Sequence, residues 1–139
     1  MGCRTSLIKN QVIINGKTRK IIDADDGLGH EHDFGLFKRT IGTDVDEDIL
    51  MYGDLGYLGI YDYHANSIIP IKASKNNPLS EKEKTYNKRL ARKRIAVEHI
   101  NAKIKTFKIM AYPYRNHCKR HLLRLSLICG IINFENRCK

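Results

Sequence analysis

The stretch Tyr86–Lys105, YNKRLARKRIAVEHINAKIK, decides how the chain is read. Leu90, Val97, Ile100 and Ile104, with Phe107 just beyond, fall on one face at helical spacing. The segment Ser80-Glu81-Lys82-Glu83 ahead of them has the spacing of a capping box. Together these features predict one long helix over residues 80–108. A second stripe, Asn87, Arg94, Glu98 and Lys105, runs beside the apolar face. From Lys82 to Lys108 there are ten bases and two acids, Glu83 and Glu98. Glu98 is therefore the wrong charge for its surroundings. A metal ion held beside bound nucleic acid would explain it. The plainer explanation is a pair with Arg94, one helical turn earlier.

Strands lie upstream of this helix. Residues 8–15, IKNQVIIN, read as a strand, and Asn15-Gly16 signals a tight hairpin turn before the returning strand KTRKIIDA. HDFGLFKRT, residues 32–40, reads as a short helix with Asp33 able to cap its N-terminus. The acid-rich GTDVDEDI is a surface loop. ILMYGD, residues 49–54, is a short apolar strand of the buried type ending at Asp54. GYLGIYDY follows as a glycine-punctuated turn or short helix. In SIIPIKA, Pro70 predicts an edge strand or a broken one. Beyond the long helix Pro113 ends the connection, and a final helix is expected from about Arg115 to Asn133. Strands mixed with helices indicate an α/β or α+β layer, and 139 residues make one domain or a piece of one.

Charge is unevenly placed. Residues 1–70 carry seven Lys/Arg and eleven Asp/Glu, whereas residues 71–139 carry eighteen and four. The second half therefore suits a nucleic acid or another anionic surface; a solvated basic helix is the alternative. Arg89, Arg92, Lys93, Arg94, Lys103 and Lys105 are candidate phosphate contacts, which would position DNA without reading its bases. No apolar run reaches the length of a membrane span, and the N-terminus lacks the long apolar stretch of a secretory signal. Met1-Gly2 with Ser6 fits a myristoylation motif too short to carry weight. The four cysteines, Cys3, Cys118, Cys129 and Cys138, form no C-x-x-C pair. That pattern points to a reducing cytoplasm without a disulfide framework. Cys118-x-x-His121 is half of a zinc pattern with no matching second half. Cys129, in an apolar run, is expected to be a buried thiol. His30-Glu31-His32-Asp33 could be a metal cluster, although histidines two apart on a loop are more often incidental.

The sharpest pair is Asp54 with Glu98. Asp54 ends an apolar strand, where open α/β sheets gather their functional groups. Two carboxylates distant in sequence could share Mg²⁺, a hard cation that takes oxygen ligands. Metal pairs of this kind activate a water and stabilise the leaving oxygen in phosphodiester cleavage. The plainer readings are a turn aspartate and a helical ion-pair glutamate.

Several ordered segments then resemble one family. GDLGYLGI, preceded by HDFGLFK and followed by YNKRLARKRIAVEHINAKIKTFKIM and YRNHCKRHLLRLSLICGIINFE, is similar to the catalytic domain of DDE-type transposases of bacterial insertion sequences. The Harbinger-derived nucleases of eukaryotes are related in the same way. The resemblance runs from Lys9 onward. It implies an α/β, ribonuclease H-like mixed sheet with flanking helices. It also implies a divalent metal, Mg²⁺ or Mn²⁺, held by two aspartates and a glutamate that cut and rejoin DNA. By position in D-x-G-Y-x-G, Asp54 resembles the second acid. By position in R-x-x-V-E, Arg94 to Glu98, Glu98 resembles the third. His32-Asp33 resembles a His-Asp motif near the family's active site, with Asn87 and Arg94 as further neighbours.

The first acid of the family sits on the first strand, upstream of the segment resembling LIKNQVIIN, and has no counterpart here. The expectation is therefore one partial catalytic domain over residues 1–139, lacking the first strand. DNA is the expected partner, and another transposase chain could supply the missing N-terminal part. A DNA-binding remnant that cannot cut is the competing function. A basic α/β domain with no nucleic-acid role is the third.

Overall fold

The structure, a computed structural model, describes residues 8–41, 44–112 and 120–138. Met1-Gly2, Ser6, Cys3, Pro113, the expected helix start at Arg115, and Cys118 lie outside the described residues. The chain divides into two compact units, residues 32–95 and the pair of segments 1–31 and 96–139.

In the second of these, β1 (Ile8–Ile14) and β2 (Ile21–Leu28) form an antiparallel hairpin. Its turn is wider than Asn15-Gly16 suggested. The Asn15 carbonyl accepts the Arg19 N–H at 2.8 Å, and the Lys20 carbonyl accepts the Asn15 N–H at 2.8 Å. Asn15 works through its side chain: Oδ1 accepts the N–H groups of Lys17 and Thr18 at 2.9 and 3.0 Å. The residue in the left-handed region is Arg19, with φ 56°, not Gly16. The register shifts between Ile13 and Ile14. Ile21, Ile100, Ile104, Leu125, Ile128, Cys129 and Ile132 form the core of this unit, joined by Val12, Ile14, Ala24, Phe107 and Met110. The later four of those seven lie on α4 (His121–Arg137). Asn133 of α4 clamps the strand: its Oδ1 accepts the Ile21 N–H at 2.8 Å and its Nδ2 donates to the Ile21 carbonyl at 2.9 Å.

The other unit contains α1 (Asp33–Thr40) and a parallel pair of two-residue strands, β3 (Met51–Tyr52) and β4 (Ser67–Ile68). Its buried residues include Leu36, Phe37, Ile60, Ile69 and Leu90. Two single 3-10 turns, Leu55–Tyr57 and Ile60–Asp62, connect the strands. His64, 2% exposed, ties β4 to the loop that precedes β3. Its Nδ1 meets Ser67 Oγ at 2.9 Å and its Nε2 meets the Asp46 carbonyl at 3.1 Å. Asp33 is the first residue of α1 rather than its cap. His32 holds the cap position and makes no side-chain cap bond, so Asp33 acts on the helix as a first-turn acid.

The long helix is α2 (Glu81–Thr106), and its capping box is made. Glu83 Oε2 accepts both the Ser80 N–H and hydroxyl at 2.7 Å, and Ser80 Oγ accepts the Glu83 N–H at 3.4 Å. Those bonds hold the Glu83 carboxyl below its ordinary range. The helix stops two residues early. Phe107 takes an extended conformation and leads into a short α3 (Lys108–Ala111), which turns its ring onto the core. The strands among the described residues thus form two small sheets, an α/β arrangement.

Candidate functional site

Asp54 is placed by its own turn. As cap of the first 3-10 turn, its Oδ1 accepts the Gly56 N–H at 2.8 Å. The other oxygen, Oδ2, meets Arg94 Nη2 of α2 at 3.4 Å. Asp54 is thus both a turn residue and the anion facing the basic helix. The pair is half-exposed, so it contributes only about 0–1 kcal/mol to stability. Its value lies in fixing where the carboxylate points.

The glycines of D-x-G-Y-x-G have definite reasons. A Cβ on Gly56 would stand 2.9 Å from Asp54 Oδ1 and 3.0 Å from Asp33 Oδ2. Only glycine lets both carboxylates close over that position. Both oxygens lie near one point, so they stand no more than about 6 Å apart, within the range where charges act on one another. Asp33 is therefore a true neighbour of Asp54. Gly59 has φ 94°, and an added Cβ would press on Phe34 Cε1 at 3.3 Å. Between them the Tyr57 ring meets Phe37 edge-on, with centroids 5.9 Å apart.

Glu98 lies on α2 in the unit that does not contain Asp54. It is exposed. The expected pair with Arg94 is not made, because Arg94 is engaged by Asp54. Among the described residues Glu98 has no ion-pair or hydrogen-bond partner. Asn87 is committed to backbone: its Oδ1 accepts the Ile71 N–H and its Nδ2 donates to the Ile71 carbonyl, each at 2.9 Å. His32 is exposed beside Asp33.

Arg89, Arg92 and Lys105 are exposed on α2. Lys93 Nζ donates to Tyr52 Oη at 2.8 Å and lies 4.8 Å from the centre of that ring. Lys103 pairs with Glu135 at 3.4 Å and donates to Asn136 Oδ1 at 3.2 Å. The His30-Glu31-His32-Asp33 run forms no metal cluster. Among the described residues no three His, Cys, Asp or Glu converge on a metal position. His121 Nδ1 instead meets Asp26 Oδ2 at 2.8 Å. Cys129 is buried, and burial first, then the Asp23 carboxylate, push its thiol up, away from reactivity. Among the described residues no helix is long and apolar enough to cross a membrane.

Sequence reasoning missed Gly56 and Tyr52. The spacing of Gly56 from Asp54 is the signal for an Asx-type turn. Nothing in the sequence marks Tyr52 as the partner of Lys93.

A family model described as the transposase DDE domain matches residues 2–134. A probable transposase for insertion sequence element IS702, from Microchaete diplosiphon, is 44% identical over 128 residues. That match covers 92% of this chain but 46% of the relative, so the chain spans about half the relative's length. No solved structure matches the chain.

Proposed function

This chain belongs to the DDE transposase family, and on that premise we propose that it acts in DNA transposition, within a ribonuclease H-like catalytic domain that cuts and joins strands with Mg²⁺ or Mn²⁺. The observation that carries this reading is the hold on Asp54. One oxygen is fixed to its own D-x-G-Y turn and the other faces an arginine of the basic helix.

The donors suit the metal. Asp54 and Glu98 offer hard oxygen ligands. Each bonded Asp54 oxygen keeps a further lone pair, and Glu98 is exposed and unpaired among the described residues. These two residues would hold the ion, with a further carboxylate supplied by polypeptide outside residues 1–139. When bound, such an ion activates a water and stabilises the leaving oxygen. Arg94 orients the Asp54 carboxylate, and its planar guanidinium suits a phosphate equally well. Asp33, and His32 beside it, flank that carboxylate. Arg89, Arg92, Lys93, Lys103 and Lys105 carry the DNA backbone. The cytoplasm, where DNA is reached, is the proposed location.

Asp54→Asn tests the reading cleanly, because the amide oxygen still accepts the Gly56 N–H while the charge is gone. Mn²⁺ binding followed by electron paramagnetic resonance is expected to weaken by at least about tenfold in Asp54→Asn and Glu98→Gln, the low end of what even outer-sphere changes cost. Duplex binding is expected to persist in both. Unchanged Mn²⁺ affinity in both variants refutes the site. The isolated chain is expected to nick plasmid DNA little or not at all. Robust nicking abolished by Asp54→Ala would show that no outside carboxylate is needed. The competing reading is a chain that binds DNA without cutting it; duplex binding by a wild-type chain that takes up no Mn²⁺ would favour it.

A further inference from the structure

A separate cavity of 350 Å³ opens beside the hairpin turn, lined by Thr18, Arg19, His99, Ile100, Lys103 and Asn136. All six belong to the unit formed by segments 1–31 and 96–139. It has three nitrogen-bearing basic side chains, a hydroxyl and an amide, against one apolar residue. Lys103 is the member already engaged, by Glu135 and Asn136. Among the described residues the Arg19 guanidinium and the His99 ring have no partner.

Arg19 is also an unexpected residue for its place. The turn closes through the left-handed region, where glycine or asparagine is the comfortable choice. Arginine stands there at φ 56°. Its backbone is held by the Asn15 carbonyl at 2.8 Å and, from the other side, by Asn136 Nδ2 on the Arg19 carbonyl at 3.5 Å. Asn136 thus ties the strained turn and Lys103 together. Strain kept in place by its surroundings is a mark of function. The run Lys17-Thr18-Arg19-Lys20 adds two further bases beside the opening.

We propose that Arg19, His99 and Lys103 form a phosphate-binding pocket that grips one phosphodiester of bound DNA. This rests on the DNA-binding reading and deepens it. The cavity lies at the small end of ligand pockets, about 300–1,000 Å³, which suits one backbone linkage. Arg19 and Lys103 offer N–H donors to phosphate oxygens, and contacts of that kind follow the backbone rather than the base sequence.

The test compares Arg19→Asn with Lys17→Asn. Both remove one positive charge from the same turn, but only Arg19 lines the cavity, and asparagine tolerates the left-handed region. Binding of a labelled duplex is followed by fluorescence anisotropy from low to high salt. For Arg19→Asn the affinity is expected to fall about 3- to 10-fold and the slope of log K against log salt to shrink by about 0.9, one phosphate contact. Lys17→Asn should change the slope by less than half of that, and the melting temperature of Arg19→Asn should not fall. Equal effects of the two variants overturn the pocket, leaving only diffuse charge. Wild-type chain that fails to bind duplex overturns the DNA reading itself and the pocket with it. Inorganic phosphate, followed by its ³¹P resonance, separates the sources. If Arg19→Asn loses phosphate binding while duplex binding is unchanged, the pocket takes a free ion and the DNA assignment is wrong.

Discussion

Replacing Asn133 by alanine is the most informative change in the fold. Its amide satisfies both backbone groups of Ile21, at 2.8 and 2.9 Å, and Ile21 is only 4% exposed. Alanine leaves a buried N–H and a buried C=O unpaired. Each such group costs about 1–3 kcal/mol. Asn133 is only half-buried, so some water can enter, and the expected loss is about 2–4 kcal/mol. Asn87 provides the internal comparison. It makes the same two bonds, to Ile71, at the same 2.9 Å, but Ile71 is exposed. Water can replace that amide, so Asn87→Ala should cost no more than about 1 kcal/mol. Asn133→Asp keeps the acceptor for the Ile21 N–H but sets a carboxylate oxygen against the Ile21 carbonyl, and should cost at least as much as alanine. Urea unfolding followed by circular dichroism measures all three, and a shift in midpoint at constant slope reports stability. Equal losses for Asn133→Ala and Asn87→Ala would refute the argument, because burial would then have decided nothing.

Two further outcomes follow from the same geometry. Gly59→Ala places a side chain at φ 94° against Phe34 and should cost at least about 1–2 kcal/mol, the left-handed penalty alone; an unchanged melting temperature would show that the turn relaxes freely. The Glu83 carboxyl is held down by its Ser80 bonds, so its contribution is present above the pKa of the unfolded chain and is lost as pH falls through the lower folded value. Acid titration should therefore fray the start of α2 in wild type, and Glu83→Gln should weaken that dependence; identical pH profiles would remove the capping box from the account.

The long helix was legible because each signal along it agreed. The Ser80–Glu83 box and the apolar stripe point one way, and agreement across levels marks a sequence that specifies its structure. Its end was not legible. Phe107 continues the apolar spacing, yet the core draws its ring in by breaking the helix. The hairpin is legible in the sequence and its turn is not, because Asn15 acts through its side chain while Arg19 takes the strained conformation. No propensity argument predicts an arginine there. Asn133 and Asn87 were also opaque as clamps. An asparagine in a helix carries no sequence mark of the distant backbone it will satisfy, since only the tertiary fold creates that need.

Asp54 is held as a turn residue, and the same hold suits the metal-binding role proposed for it. A carboxylate free to rotate is a poor metal ligand, because its orientation must be fixed at each binding event. Asp54 avoids this by giving one oxygen to the Gly56 N–H, which sets the side chain before any ligand arrives. That bond needs the chain to turn back within two residues. The turn needs glycine at 56, because Asp33 also closes over it. The return of the chain needs glycine at 59, where φ is positive. Tyr57 then anchors the loop on the α1 residue Phe37. The spacing D-x-G-Y-x-G is thus what a short loop requires if it is to hold one aspartate still. A motif that preorganises an anion in this way is informative about chemistry because its structural demands are so narrow.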